Sequence, residues 1–172
     1  MALTESNMLP LGTTAPSFEL PDVVDGQSKS YSQLRGAKAT VVMFICNHCP
    51  YVKRITEDLA AMTTEMMNAD IGVVAIMSND YLAYPADAPE KMIDFAQSSG
   101  FQFPYLIDEA QSVAKAYGAV CTPDFFGFSN TNGLQYRGNI DGLLPAMREI
   151  AKTGKCSSDQ TPSMGCSIKW RA

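Results

Sequence analysis

Runs of β-branched and apolar residues recur along the chain, most of them followed by a stretch with helical spacing. Thr40-Val41-Val42-Met43-Phe44 is one such run and predicts a buried strand. From Val52 the apolar positions step by three and four through Ile55, Leu59, Met62 and Met66, which predicts one helix face ending about Asn68. Asp70-Ile71-Gly72 then turns into a second buried strand, Val73-Val74-Ala75-Ile76-Met77. A loop with Asn79-Asp80, Pro85 and Pro89 leads to a helix over 90–98 that stops at Gly100. Tyr105-Leu106-Ile107 predicts a short strand and Ser112 to Tyr117 a short helix. Asp124 to Phe128 and Leu134 to Arg137 form a hairpin across the turn Asn130 to Gly133, and a last helix runs from about Leu143 to Thr153.

The flanks are less regular. Residues 1–16 form a loose lead-in, and Ser17 to Gly36 predicts a small hairpin with a short turn at Tyr31-Ser32-Gln33-Leu34. Lys155 to Ala172 has little periodicity, although Ile168 and Trp170 can dock. Strands separated by helices, then an antiparallel hairpin, predict an α/β protein with a mixed central sheet flanked by helices. The domain runs over 1–155 and a C-terminal tail over 156–172.

Composition narrows the function. The 172 residues suit one domain with a real core, and a net charge of −5 without a basic patch argues against nucleic acid or an anionic membrane as partner. No apolar run approaches the roughly 18 residues of a membrane span. The start lacks the basic and apolar regions of a secretory signal, so a cytoplasmic location is expected.

The five cysteines are Cys46, Cys49, Cys121, Cys156 and Cys166. An odd number does not suit a purely structural disulfide framework, and in a reducing compartment a C-x-x-C pair reads as catalytic or metal-binding. Cys46-Asn47-His48-Cys49-Pro50 stands where strand gives way to helix. Pro50 fits the first helical position, which puts Cys49 near the N-cap, beside unpaired N–H groups and the positive end of the helix dipole. In such places a cysteine pKa falls from about 8.5 to about 3.5–7.5. His48, the sole histidine, adds positive charge between the sulfurs when protonated. Zinc wants four ligands and no second C-x-x-C exists, so no metal is expected. Met62, Met66 and Met67 read as core packing, Asp80, Asp87, Glu90 and Asp94 as a solvated acidic face, and Arg137 as a surface strand residue.

The order strand, C-x-x-C, helix and later Thr122-Pro123 before a strand resembles the thioredoxin superfamily. Leu11-Gly12-Thr13-Thr14-Ala15-Pro16-Ser17-Phe18, Val42 to Pro50, Tyr117 to Pro123 and Tyr136-Arg137-Gly138 are most similar to its peroxiredoxin-like and thiol-reductase-like (AhpC/TSA-type) branch. The resemblance covers about residues 10–155 and implies a thioredoxin-like fold with an N-terminal β-hairpin. It also implies that Pro123 is cis, packs against the redox site and leaves the backbone of Thr122 free to pair with a bound peptide. A homodimer is a further outcome it allows.

The resemblance leaves the nucleophile open. Aligned on Phe44 and the proline, Cys49 takes the nucleophile position, Val52 the second-cysteine position, and Cys46 the place of a threonine that peroxiredoxins keep. Aligned on the cysteines, Cys46 attacks and Cys49 resolves. The helix-dipole argument favours Cys49, and family habit favours Cys46.

The resulting expectation is a thiol–disulfide oxidoreductase. Cys46 and Cys49 are its redox pair, His48 tunes them, and Thr122 and Pro123 contact substrate. No cofactor is needed, because the electrons reside on sulfur. Protein or small-molecule disulfides are the substrates, and a thioredoxin- or glutathione-type reductant recycles the protein. Cys121 is a third redox thiol or a small buried hydrophobe. Cys156 and Cys166 pair with each other, swing in to resolve the site, or stay exposed on the tail. The rivals are a thiol peroxidase, which the missing Thr-x-x-Cys pattern counts against, and a redox-switched binding module without catalysis.

Overall fold

The computed structural model describes residues 3–172; Met1 and Ala2 of the lead-in lie outside them. In chain order the strands and helices are β1 (Leu3–Glu5), β2 (Glu19–Pro21), β3 (Ser28–Ser30), α1 (Tyr31–Leu34), β4 (Ala39–Phe44), α2 (Pro50–Lys53), α3 (Thr56–Asn68) and β5 (Ile71–Met77). They continue as α4 (Pro89–Ser99), β6 (Tyr105–Ile107), α5 (Ser112–Tyr117), β7 (Cys121–Thr122), β8 (Asp124–Ser129), β9 (Gly133–Gly138), α6 (Leu143–Thr153) and β10 (Met164–Ser167).

A five-stranded sheet, ordered β6-β5-β4-β8-β9, forms the centre. β4, β5 and β6 run parallel, while β8 and β9 are antiparallel, so the mixed sheet expected from the pattern is present. β4 is wholly buried because helices cover both of its faces. Val41 and Met43 enter one core with Leu59, Met66, Met92 and Met147. Val42 and Phe44 enter the other with Phe18, Tyr117, Phe126 and Leu134. The N-terminal hairpin is β2 against β3. Met66 is buried and Met62 and Met67 pack against the first core, in line with a packing role.

Three readings need correction. The helix expected from 50 to 68 is two, because Ile55 leaves helical geometry at φ −109° and ψ 6°. Residues 1–16 are not all loose, since β1 is a strand. The tail is not irregular throughout either, because β10 lies between β1 and β7 in a three-stranded sheet, antiparallel to both. Cys166 sits opposite Leu3 on one side and Thr122 on the other.

β10 approaches β7 closely enough that Gly165 tolerates no side chain. A Cβ there would meet the Thr122 carbonyl oxygen at 1.9 Å, a backbone atom that cannot step aside. Gly165→Ala is therefore expected to cost about 1–3 kcal/mol, the usual range for overpacking. It should also speed alkylation of Cys166. Urea unfolding and timed labelling check both effects.

Arg137 and Asp87 are also misplaced by the sequence reading. Arg137 is fully buried, not on the surface. Its Nη2 donates to Asp124 Oδ2 at 3.0 Å, its Nη1 pairs with Asp124 Oδ1, and its guanidinium carbon lies 3.8 Å from the Phe126 ring centre. Asp87 likewise has no exposed surface, and Asp80 is nearly buried, so the acidic face is not solvated at these positions.

Candidate active site

Cys46 follows β4 by two residues and Cys49 is the N-cap of α2, with Pro50 at the first helical position. The Thr122–Pro123 bond is cis, as the resemblance implied. Thr122 lies against both thiols. Its hydroxyl is 3.6 Å from Cys46 Sγ, and its carbonyl oxygen is 3.3 Å from Cys49 Sγ. The chain from β10 completes the group, with Cys166 Sγ 2.9 Å from Cys49 Sγ. That separation is inside van der Waals contact for two sulfurs but longer than the roughly 2.05 Å of a disulfide bond.

The resemblance implied that the backbone of Thr122 is free to pair with a peptide, but here that side is occupied. β10 is paired along it, with Cys166 in register. Cys46, Cys49, Thr122 and Cys166 are all buried.

The electrostatics separate the two cysteines of the motif. Cys49 is brought down to about 4, first by the Cys46 thiol donating to it and further by Cys166, Thr122 and the Val52 N–H, all against the cost of burial. Cys46 moves the other way, well above the usual thiol range, because its proton is committed to Cys49, because it is buried, and because Asp87 is negative. Cys166 is pushed up to about 11, first by burial and then by its proton bridging to Cys49. One thiolate therefore sits between two protonated thiols that stabilise it.

His48 turns toward Asp87, not toward Cys49. Its Nδ1 approaches Asp87 Oδ2 to 2.6 Å without hydrogen-bond alignment, and its ring stacks on Tyr84 at 5.9 Å. Burial raises Asp87, but His48, Asn79 and the Asn47 N–H bring it below the usual carboxylate value. Asn47 N donates to Asp87 Oδ1 at 2.8 Å and Asn79 Nδ2 to Oδ2 at 2.9 Å. Tyr105 donates to Asn47 Oδ1 at 2.8 Å. This network fixes the turn between the two cysteines. Sequence reasoning missed Asp87, Asn79 and Tyr105, which come from elements far from the motif and carry no local signal.

Donor atoms of Cys46, His48 and Asp87 lie within 4.8 Å of one another. They make three ligands where a closed zinc site has four, and both Asp87 oxygens already accept hydrogen bonds.

The other cysteines lie apart from this chemistry. Cys121 precedes Thr122, and in a strand neighbouring side chains point to opposite faces. Its thiol points at the Pro123 carbonyl oxygen at 3.9 Å, and burial pushes its pKa well up. Cys156 is half-buried, with its sulfur 3.3 Å from the Ser158 hydroxyl. Among the described residues no hydrogen bond joins it to Cys166 or to the motif.

The family model for the AhpC/TSA family matches residues 11–140. A conserved Geobacillus kaustophilus protein of solved structure is 42% identical, with a TM-score of 0.95 over 99% of this chain and 97% of its own. The Mycobacterium tuberculosis protein named "Putative peroxiredoxin Rv2521" is 29% identical over 73% of this chain and 74% of its own length. The thioredoxin domain of a Bacteroides vulgatus thiol-disulfide oxidoreductase shares the fold, with a TM-score of 0.67 at 17% identity over 84% of this chain and 99% of its own. With its cis-proline, its helix-capping cysteine and this matched span, the chain belongs to the AhpC/TSA family of thiol-based redox proteins, in the peroxiredoxin-like branch of the thioredoxin superfamily.

Proposed function

We propose that the protein is a thiol–disulfide oxidoreductase in which Cys49 is the nucleophile and Cys46 its resolving partner. The observation that carries this reading is the placement of Cys49 at the N-cap of α2, against Thr122 and its cis bond to Pro123, where the neighbouring Cys46 thiol donates to it and lowers its pKa. At neutral pH Cys49 is a thiolate, the form that attacks sulfur. It forms a mixed disulfide with one half of the substrate, and the other half leaves as a thiolate. Cys46 passes its proton to that thiolate and attacks Cys49 Sγ, and the second half leaves. A thioredoxin- or glutathione-type dithiol or thiol reverses the oxidation. The low pKa stabilises the reduced form, which makes the disulfide oxidising.

A thiol peroxidase is the second reading. What favours it is that Cys49 has no exposed surface, so a small oxidant reaches it more readily than a protein disulfide does. Cys46 in the threonine place counts against it, and so does Arg137: an arginine helps hold peroxide in peroxiredoxins, but this one is buried and paired with Asp124. The test is a side-by-side assay with dithiothreitol as reductant and either oxidised glutathione, insulin or hydrogen peroxide as oxidant. Disulfide turnover at least tenfold faster than peroxide turnover is expected. The reverse order would install the peroxidase.

A further inference from the structure

β10 meets the redox site as a substrate strand would. It lies antiparallel to β7, the two residues ahead of cis-Pro123, and places Cys166 opposite Thr122. Gly165 lets its backbone press against the Thr122 carbonyl, and the Cys166 sulfur arrives 2.9 Å from Cys49. The segment is fastened on both sides of that contact. Before it, the Ser163 hydroxyl donates to the Pro123 carbonyl oxygen at 2.6 Å, and Ser6 N donates to the Ser163 carbonyl oxygen at 2.9 Å. After it, Ile168 N donates to the Val120 carbonyl oxygen at 2.9 Å, and Lys169 N donates to Asn79 Oδ1 at 2.8 Å. Cys166 is thus held in place at the sulfur of the nucleophile. Cys46, by contrast, also has a contact with the Thr122 hydroxyl.

We propose that β10 is a tethered stand-in for a disulfide substrate and that Cys166 closes a reversible disulfide with Cys49, sealing the strand over the site. This deepens the oxidoreductase reading and rests on Cys49 being its nucleophile. The reaction balances. The Cys49 thiolate attacks a disulfide R–S–S–R′, its sulfur–sulfur bond breaks, R′–S⁻ departs, and Cys49–S–S–R forms. Cys166 gives its proton to R′–S⁻, its sulfur attacks Cys49 Sγ, and R–S⁻ departs. Two electrons pass from the protein sulfurs to the substrate, and the protein keeps a Cys49–Cys166 disulfide. A glutathione-type thiol reopens it by the reverse steps. While it is closed, β10 is covalently fixed and a polypeptide cannot pair with β7.

Disulfide mapping in graded glutathione buffers tests the proposal. Trypsin leaves Cys49 together with Cys46 on peptide 39–53 and Cys166 together with Cys156 on peptide 156–169, so Cys156→Ser provides the background and fragmentation or Cys46→Ser separates the two cysteines of the first peptide. The expected result is a cross-link between these two peptides whose yield follows the buffer potential, persists in Cys46→Ser and vanishes in Cys166→Ser. Cys166 that stays fully alkylated at every potential, with only Cys46–Cys49 bonds or glutathione adducts at Cys49, overturns the proposal. In protein with native Cys46 and Cys166, fragmentation of the cross-linked pair that places the bond on Cys49 and not on Cys46 decides the matter even if a variant folds poorly. Turnover of oxidised glutathione is read on the same samples. A cross-link without turnover counts against the oxidoreductase and leaves the Cys166 bond standing. Turnover without a cross-link does the opposite.

Discussion

Cys49→Ser is expected to abolish disulfide reduction, with a fall of about 10³-fold or more, because no other group supplies a thiolate. Its neighbours cannot substitute, since Cys46 and Cys166 are both held protonated by burial and by their bridges to Cys49. Cys46→Ser should behave differently. A serine hydroxyl still donates to Cys49, so much of the ionisation survives, but it cannot attack a mixed disulfide, which leaves that step to Cys166. Steady-state assays with oxidised glutathione, together with mass spectra of the trapped species, separate the two roles. An active Cys49→Ser protein would falsify the assignment. The ionisation also shapes stability. Cys49 has a folded pKa of about 4, against about 8.5 when unperturbed. A depressed pKa adds stability that is complete above the unperturbed value and is lost as pH falls through the folded one. Between those limits, reduced wild-type protein should gain stability with rising pH relative to Cys49→Ser, as read by urea midpoints across that range.

Arg137→Ala is expected to cause the largest loss of stability of any single change considered. Arg137 and Asp124 have no exposed surface and pair through both guanidinium termini. Burial pushes Asp124 up to about 6 even against its partner. Removing the guanidinium leaves a carboxylate in the core without its counter-charge, at a cost of about 3–5 kcal/mol. For a chain of this size that is a drop in melting temperature of about 6–20 °C. Replacing both residues with apolar ones of similar volume should recover most of the loss, because a buried pair returns little beyond its own desolvation. Calorimetry on the single and double variants checks this. Equal destabilisation in both would show that the loss comes from packing against Phe126 and not from the orphaned charge.

The sequence was most readable where burial is two-sided and local. β4 and β5 are nearly all apolar, so their strand character follows from composition within the segment. The thiol pair and the cis-proline were visible as motifs. Arg137 was not, because the charge that permits its burial sits on the neighbouring strand, 13 residues earlier, and nothing near Arg137 announces it. Asp87 looked like one more acid in a proline-containing loop, yet it takes three partners from two other parts of the chain. β10 reads Met-Gly-Cys-Ser, too short and too polar for an alternation signal. It is a strand because β1 and β7 lie on either side of it, and pairing over such separations leaves no local trace.

The sequence separation of 117 between Cys49 and Cys166 also sets an order in time. At about 5–20 residues per second, a ribosome needs roughly 6–23 s to travel that distance. Throughout that interval the C-x-x-C turn exists without its third thiol. β1 is made long before β10 and waits for it with an open edge. A newly made chain thus passes through a stage in which its dithiol is uncovered, and translation itself finishes the enclosure.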